Sequence, residues 1–418
     1  MRILVITHYL PWPLNSGGNA AQFSTLKCLA QDHQFTVVCV LQKAEQLAAL
    51  AQLQAALPAV RFVGVPNDSS APGRNRFFRS ARKLYRWVRE FFLAPASTSA
   101  PLPFYPFDLV SPGLLATVTA ELAKGVDLCQ VEYAELLTLG PWLPAGIPKI
   151  FIHPQIHYVY VQRFIEARGN ANGYSSYMEA VIRAQEIAYL KFFQTIVTFS
   201  REDQKILQAL ALGGKVVSSP FPLPADVQIP ERIPDAFNGT FFFLASEAHS
   251  ANRDALEWML AAIWPTIVKT LPDAKLQIVG EWTEKSRAEK SGPTVAFTGF
   301  VEDLSKTLSG GVMLVPVRIG SGIRVKILIA LALGVPVVST TIGNEGIDVA
   351  DGKEVLLRDD PASFAAAAIE LARNPTLWRS LAAAGKEVVQ KNYAPETVRR
   401  QRNEIYAELR ARHAASKP

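Results

Sequence analysis

Short apolar runs alternate with helical segments along most of the chain. Seven runs rich in β-branched and aromatic residues precede residue 219, at 2–6, 35–41, 60–65, 127–132, 149–153, 195–199 and 216–218. Six more follow residue 239, at 240–244, 275–279, 295–298, 312–316, 335–339 and 355–357. Apolar strands buried on both faces and separated by helices are typical of parallel sheets. The pattern therefore predicts an α/β fold with doubly wound parallel sheets.

A proline-rich stretch divides this rhythm into two parts. Residues 218–238 contain five prolines and show neither helical nor strand periodicity. We therefore predict a Rossmann-like domain at 1–219, a linker at 220–238, and a second Rossmann-like domain at 239–394. Residues 395–418 read as a final helix. A chain of 418 residues is long enough for two cores, and two such domains facing each other leave a central cleft.

Residues 312–347 carry the strongest local signal. A strand at 312–316 is followed by the turn Arg-Ile-Gly-Ser-Gly, a helix at 323–333, a second strand at 335–339 and a glycine-containing loop at 343–346. Ligands bind parallel sheets beyond the carboxyl ends of the strands. Arg318, Arg324 and Lys326 lie in or beside the first turn. Fixed cations next to a helix N-terminus predict an anion site there.

Composition limits the class of protein. The net charge is +6, and the three cysteines, Cys28, Cys39 and Cys129, are widely spaced within apolar segments. That arrangement is typical of buried free thiols and gives neither a disulfide framework nor a zinc site. No apolar stretch is long enough to span a bilayer, and the N-terminus lacks the features of a secretion signal. A cytoplasmic protein is expected.

A basic segment adds a second candidate surface. Residues 74–89 contain seven Arg or Lys residues interleaved with Phe, Tyr, Trp and other apolar residues. An amphipathic basic helix of this composition can lie on an anionic membrane, with contact through residues 74–93, which would make the protein peripheral at the inner face. It is equally typical of a solvated helix or a substrate-binding face. Nucleic acid is disfavoured, because no recognition fold surrounds the segment.

The run R-I-G-S-G-I-R-V-K-I-L-x-A-L-A-L-G-V-P-V-V-S-T and the following G-N-E-G-I resemble family 4 of the retaining glycosyltransferases. The upstream F-T-G-F-V-E-D-L and the N-terminal strand with its Gly-Gly loop agree with this resemblance. It implies the GT-B architecture, in which the second domain holds the nucleotide sugar, the first holds the acceptor and the last helices cross back. It implies transfer of a sugar with an α-linkage to a glycan, glycolipid or small-molecule acceptor. The implied donor is UDP- or GDP-linked, with no cofactor or metal.

The resemblance also assigns roles to single residues. It places Arg324 and Lys326 at the leaving diphosphate, with Arg318 as a weaker third, and His153 beside the transferred sugar, where His157 competes for the same role. No side-chain nucleophile is implied, because the leaving phosphate takes the acceptor proton on the same face of the sugar. The remaining donor-binding positions are Gly17, Gly18, Phe300, Val301, Gly320, Ser321, Gly322, Ile329, Gly343, Asn344, Glu345 and Gly346.

Two positions depart from the family pattern. Relatives have a glutamate associated with the donor ribose where this chain has Ile329, and many have a second one eight residues earlier, where this chain has Ser321. Isoleucine cannot accept a hydrogen bond, so a catalytically impaired binding or partner subunit is the rival interpretation. A sugar-nucleotide epimerase fits the loop motifs less well. The basic pair common after the first strand of the second domain is also absent at 246–253, where we interpret Asn252 as a helix cap.

The basic segment gives a testable prediction. If residues 74–89 bring the enzyme to a membrane, each basic residue near an anionic surface contributes about 1 kcal/mol, so the protein should float with anionic liposomes and detach as salt rises. Liposome flotation measures this directly. Equal recovery with neutral and anionic vesicles, or no recovery at low salt, would show that the segment is not attracted to anionic membranes and is simply solvated.

Overall fold

The computed structural model describes residues 1–67, 109–167, 172–225, 227–320 and 322–415. Two parallel sheets flanked by helices confirm the predicted α/β class and the two Rossmann-like units. The basic segment at 74–89 and Ser321 lie outside the described residues.

The first sheet has seven strands, all paired in parallel, in the order β3-β2-β1-β4-β5-β6-β7. They are β1 Arg2–Thr7, β2 Gln34–Leu41, β3 Val60–Pro66, β4 Leu128–Glu132, β5 Lys149–His153, β6 Thr195–Thr198 and β7 Lys215–Ser218. The described helices that flank them are α1 Gly17–Leu29, α2 Gln46–Ala56, α3 Pro112–Leu122, α4 His157–Ala167, α5 Gly173–Leu190 and α6 Arg201–Gln208, with a 3₁₀ segment at Ala134–Leu139.

The second sheet has six strands, also parallel, in the order β10-β9-β8-β11-β12-β13. They are β8 Thr240–Leu244, β9 Lys275–Val279, β10 Val295–Gly299, β11 Val312–Val315, β12 Val337–Ser339 and β13 Leu356–Leu357. The helices are α7 Ser250–Trp258, which continues through a π segment at Met259–Ile263 into α8 Trp264–Thr270, then α9 Glu284–Lys290, α10 Leu304–Leu308, α11 Val325–Ala332, α12 Thr341–Asn344, α13 Pro361–Arg373, α14 Pro375–Asn392 and α15 Pro395–Ala415.

Local sequence explains where the helices begin. The hydroxyl of Ser16 accepts the backbone N–H of Asn19 at 3.2 Å and so starts α1 directly after the loop that follows β1. Ser200 does the same for α6, accepting from Asp203 at 2.9 Å. Helix α11 begins at Val325, two residues later than the sequence pattern predicts, because residues 322–324 still belong to the glycine turn. Part of the loop predicted at 343–346 is instead helical, since α12 ends at Asn344.

The final helix lies against the first domain. The hydroxyl of Tyr406 donates to Gln130 on β4 at 2.6 Å, and Arg402 donates to the carbonyl of Ser219 at 3.1 Å. Both side chains are buried, at 0% and 1% exposure. Leu409 joins the same hydrophobic cluster as β1 and β2. Helix α15 therefore packs the end of the chain against the first sheet. Helix α14 precedes it and connects it to the second domain.

The three cysteines are buried and unbonded, as predicted, and burial raises the pKa of Cys28 to about 11 and those of Cys39 and Cys129 to about 12. Within the described ranges, no helix is both long and apolar enough to cross a bilayer.

Candidate functional site

The topology of each sheet marks the same kind of crevice. Strand order reverses between β1 and β4 in the first sheet and between β8 and β11 in the second. Ligands of open parallel sheets bind at such switch points, beyond the carboxyl ends of the strands. A cavity of about 670 Å³ lies there, and residues of both domains line it. The first domain contributes the start of α1 and the segments after β4 and β5, and the second contributes the segments after β8, β9, β10 and β11.

Glycines let the two domains approach closely at this cavity. A Cβ on Gly17 would lie 2.9 Å from Cβ of Val325, and one on Gly322 would lie 2.3 Å from the carbonyl oxygen of Pro154. Gly322 also has a φ of 77°, which disfavours any other residue. Gly320 has a φ of 138°, and a Cβ there would meet the guanidinium of Arg324 at 2.4 Å. The glycine turn is therefore needed both for domain contact and for the position of Arg324.

Arg324 and Lys326 both line the cavity, as the sequence predicts for an anion site. Arg324 donates through Nη1 to the carbonyl of Gly322 at 2.6 Å. Lys326 lies with Nζ 5.0 Å from the centre of the Phe243 ring and donates to Oδ1 of Asn252 at 3.0 Å. Burial, followed by the charge of Arg324, lowers the pKa of Lys326 to about 7. An anion in the cavity would favour the charged form of this amine.

Asn252 does not have the role that the sequence suggests. The N-cap position of α7 is His249, and Asn252 lies inside the first turn of the helix. Its side-chain nitrogen donates to the carbonyl of Ser246 at 2.9 Å, which orients its oxygen toward Lys326. The interpretation of Asn252 as a helix cap is therefore wrong. Its side-chain amide instead contacts Lys326, and both residues line the cavity.

Arg318 lies away from the lining of the cavity. Its guanidinium makes a two-pronged pair with Asp254, at 2.8 and 3.2 Å, and lies 4.9 Å from the ring centre of Trp258. The charge of Arg318, the predicted third cation for the diphosphate, is thus neutralised by a carboxylate of α7. Gly343, Asn344 and Gly346 do not line the cavity either. A Cβ on Gly343 would lie 2.4 Å from Oγ of Ser339, and one on Gly346 would lie 2.5 Å from Cβ of Ser200 of the first domain.

An ion pair that no sequence pattern predicted joins the two domains. Arg163 on α4 binds both carboxylate oxygens of Glu345, with Nη2 and Oε1 2.8 Å apart, and also donates to the carbonyl of Gly320 at 2.5 Å. The exposed fractions of the Arg163 and Glu345 side chains are 23% and 14%. Nearby, the hydroxyls of Tyr160 and Ser250 lie 3.1 Å apart across the same boundary. Helix α4 thus connects the first domain to both glycine loops of the second.

His153 is buried and is not among the residues that line the cavity. Its Nε2 lies 2.9 Å from Oε1 of Glu186, a carboxylate that also accepts the backbone N–H groups of His157 and Tyr158 at 2.9 Å. The pair of His153 and Glu186 therefore holds the start of α4 in place. Direct contact between His153 and the sugar stays a prediction, which the burial of this side chain does not support. His157, the competing candidate, does line the cavity, and burial lowers the pKa of its imidazole.

A buried carboxyl group occupies the switch point of the first sheet. Glu132, at the end of β4, accepts from Gln130 at 2.5 Å and from Gln22 on α1. Burial raises its pKa to about 7. The side-chain nitrogen of Gln22 also donates to Thr7 at 3.0 Å. This network holds α1, and with it Gly17 and Gly18, against the carboxyl ends of β1 and β4.

The remaining predicted donor positions line the cavity from both domains. Phe300, Val301 and Ile329 line it together with Gly17 and Gly18. Phe300 is 57% exposed at the rim, whereas Ile329 is 8% exposed and belongs to the hydrophobic core of the second domain. Over the described ranges, no group of three or more metal-ligating side chains is present.

Comparison with known proteins agrees with this geometry. Residues 238–374, roughly a third of the chain, match the model of the family Glycosyl transferases group 1. A segment of 174 residues is 26% identical to an uncharacterised 44.6 kDa protein in the cps region of Klebsiella pneumoniae. That match covers 39% of this chain and 45% of the relative, so the chain matches less than half of the relative's length.

Solved GT-B glycosyltransferases share the fold over nearly the whole chain. Staphylococcus aureus TarM, in complex with fondaparinux, α-GlcNAc-glycerol and UDP, superposes with a TM-score of 0.65 at 12% identity, covering 97% of this chain and 99% of that one. Anabaena HepE with UDP and glucose gives 0.60 at 12% identity, with coverages of 97% and 99%. The pneumococcal O-GlcNAc transferase GtfA, with UDP and GlcNAc, gives 0.61 at 11% identity, with coverages of 98% and 99%. Residues 238–374 are thus similar to a group 1 glycosyltransferase domain, and the whole chain has the GT-B fold.

The Arg163–Glu345 pair predicts energetic coupling between the domains. Replacing either residue with Ala should leave the other charge half-buried without its partner, so the double variant should cost about 1–3 kcal/mol less than the sum of the single variants. Urea unfolding of the four proteins measures this coupling.

A matched control is the exposed interdomain pair Arg201–Asp348, whose side chains are 72% and 60% exposed and 3.5 Å apart. Its coupling should stay below about 1 kcal/mol because solvent screens it. If the losses in unfolding free energy of the Arg163 and Glu345 single variants simply add up in the double variant, the ion pair does not stabilise the association of the two domains.

Proposed function

We propose that the protein is a retaining glycosyltransferase that moves a sugar from a nucleotide-sugar donor to an acceptor with an α-linkage. The observation that carries this proposal is the convergence of Arg324 and Lys326 on the cavity at the end of β11, opposite Gly17 and Gly18 at the start of α1. Fixed cations on one wall and a glycine-lined helix N-terminus on the other suit a diphosphate between them. The GT-B fold and the group 1 family match support the same reaction class.

The reaction needs charge stabilisation at the leaving group. As the bond between the anomeric carbon and the diphosphate oxygen breaks, negative charge develops on that oxygen. Arg324 and Lys326 stabilise it as preorganised cations. The acceptor oxygen forms its bond to the anomeric carbon on the same face, and its proton passes to the departing phosphate oxygen. No side-chain nucleophile and no bound metal takes part in this scheme.

The donor nucleotide lies along the second domain in this proposal. The nucleobase borders Phe300 and Val301, and the ribose lies near Ile329, one helical turn beyond Lys326 on α11. UDP and GDP sugars are the expected donors. TarM, HepE and GtfA, which share the fold, were solved with UDP.

A catalytically impaired binding subunit is the second candidate, and Ile329 is the observation that favours it. Its side chain presents an apolar surface at the ribose position, and it packs in the hydrophobic core. A ribose with unpaired hydroxyls against such a surface binds less tightly. This candidate keeps nucleotide binding and loses turnover.

Turnover of a donor panel separates the two candidates. UDP, GDP and ADP sugars are incubated with the protein and a mixture of sugar acceptors, with and without EDTA, and nucleotide release is measured. Proton NMR of the product then gives the anomeric configuration. Release with an α-linked product, unchanged by EDTA, supports the proposal. Binding of a nucleotide without release supports the impaired subunit, and a β-linked product contradicts the retaining mechanism.

Replacing Lys326 with Ala tests the diphosphate site. The loss of a charge-assisted contact should cost about 2–4 kcal/mol in the transition state. Steady-state turnover and calorimetric nucleotide titration measure it. Turnover within about threefold of the parent, less than 1 kcal/mol, with unchanged nucleotide affinity would rule Lys326 out.

The lowered pKa of Lys326 adds a pH dependence with a definite sign. Without a ligand, Lys326 has a pKa of about 7, and the diphosphate binds the protonated amine. Above pH 7, nucleotide binding therefore requires the uptake of a proton. Nucleotide affinity should therefore fall by up to about tenfold per pH unit above about pH 7. The Lys326→Arg variant stays charged and should lose this dependence. A flat profile for the parent would contradict the assignment.

Replacing Ile329 with Glu tests the ribose position. A carboxylate that accepts one or two ribose hydroxyls gains about 1.5–3 kcal/mol for each before desolvation, so nucleotide affinity should rise about tenfold or more. Ile329→Leu keeps the apolar surface and serves as the control. Tighter binding at a similar melting temperature supports a ribose site. A lower melting temperature without tighter binding means that the site has been remodelled, since a buried unpaired carboxylate destabilises the fold.

A further inference from the structure

The chain turns sharply into the cavity directly after β4. Tyr133 follows Glu132 with φ 73° and ψ 143°, a backbone conformation that is rare outside glycine. Residues held in such strained backbone conformations cluster at functional sites. Tyr133 and Glu135, two residues further on, both line the cavity.

An aromatic row leads to Tyr133 from the loop after β1. The rings of His8 and Tyr9 meet edge to face with centres 4.7 Å apart, and those of Tyr9 and Tyr133 meet in the same way at 5.0 Å. Tyr9 is 39% exposed although it is large and apolar. The diphosphate scheme uses none of these rings.

Polar groups accompany this row. The hydroxyl of Tyr9 donates to Oε1 of Glu135 at 2.7 Å, and Glu135 is exposed. His157 also lines the cavity. Burial has the largest effect on the pKa of its imidazole and lowers it, whereas the nearby charge of Glu135 raises it. Among the described residues of 1–219, no Lys or Arg lines the cavity, and Arg402 of α15, which does line it, is 1% exposed and donates to Ser219. The wall near Tyr133 is therefore aromatic and acidic.

We propose that Tyr9, Tyr133 and Glu135 form the acceptor subsite and that its ligand is an uncharged sugar ring. A sugar presents an apolar C–H face, which suits the exposed ring of Tyr9 and the partly buried ring of Tyr133 that lines the cavity, and an edge of hydroxyls, which suits the carboxylate of Glu135. A phosphorylated or acidic acceptor would meet the charge of Glu135, and no described residue of 1–219 that lines the cavity is a Lys or Arg that could compensate it. This inference rests on the proposed function, because it assigns the acceptor side of the same cavity.

Two variants test the subsite in the full-length protein. Tyr133→Gly removes the ring while accepting the positive φ, and Glu135→Gln keeps the shape while removing the charge. Tyr177→Ala, a change at a tyrosine of α5 that is 61% exposed, is the control. The probes are neutral p-nitrophenyl glycosides of glucose, galactose, mannose and N-acetylglucosamine, observed by saturation-transfer difference NMR, which needs no turnover.

The parent and the control should bind at least one of these glycosides. The signal should fall about tenfold in Tyr133→Gly and about threefold or more in Glu135→Gln, with the nucleotide Kd within about twofold of the parent. With an active donor, the KM for the acceptor should rise while donor hydrolysis without acceptor stays unchanged.

The subsite is overturned if the parent binds none of the glycosides, if both variants bind them equally well, or if the variants lose nucleotide affinity instead. Failure of the proposed function looks different. In that case no nucleotide sugar is bound or turned over, while glycoside binding is still lost in the two variants.

Discussion

The close contact of two backbones determines where a ligand can lie in this protein. Gly322 faces the backbone carbonyl of Pro154 with no room for a side chain, and Gly17 packs against the side chain of Val325 with as little room. Both contacts join the carboxyl edges of the two parallel sheets. Because strand order reverses at these edges, the crevices of the two domains merge into one cavity. The positions of the cations, the acidic wall and the interdomain ion pair all follow from this contact.

The cations around the cavity differ in their partners. Arg163 and Arg318 are paired with carboxylates, Glu345 and Asp254, so much of their charge is neutralised within the protein. Lys326 instead donates to the neutral amide of Asn252 and pays a desolvation cost that is visible in its lowered pKa. A buried amine without a carboxylate partner gains most from an incoming anion. This difference explains why the diphosphate is assigned to the glycine turn of the second domain.

Sequence reasoning predicted the fold because strand and helix periodicities are local properties. It also predicted that Arg324 and Lys326 share a strand end, since the glycine turn and the helix are contiguous. It could not predict the Arg163–Glu345 pair, whose members are 182 positions apart, nor the burial of His153 against Glu186. Asn252 was misinterpreted because its residue type suits a cap, whereas its surroundings in space, Lys326 and Ser246, decide its role. Tyr133 gave no signal, because a positive φ at a tyrosine leaves no trace in the residue type.

The proposed function requires one nucleotide diphosphate to contact both domains at the glycine-lined boundary. Hydrogen–deuterium exchange with and without UDP or GDP tests it most directly, because it reports protection segment by segment. A bound nucleotide should protect residues 17–22 at the start of α1 and residues 320–329 together. Protection confined to one domain, or to segments away from the cavity, would contradict it.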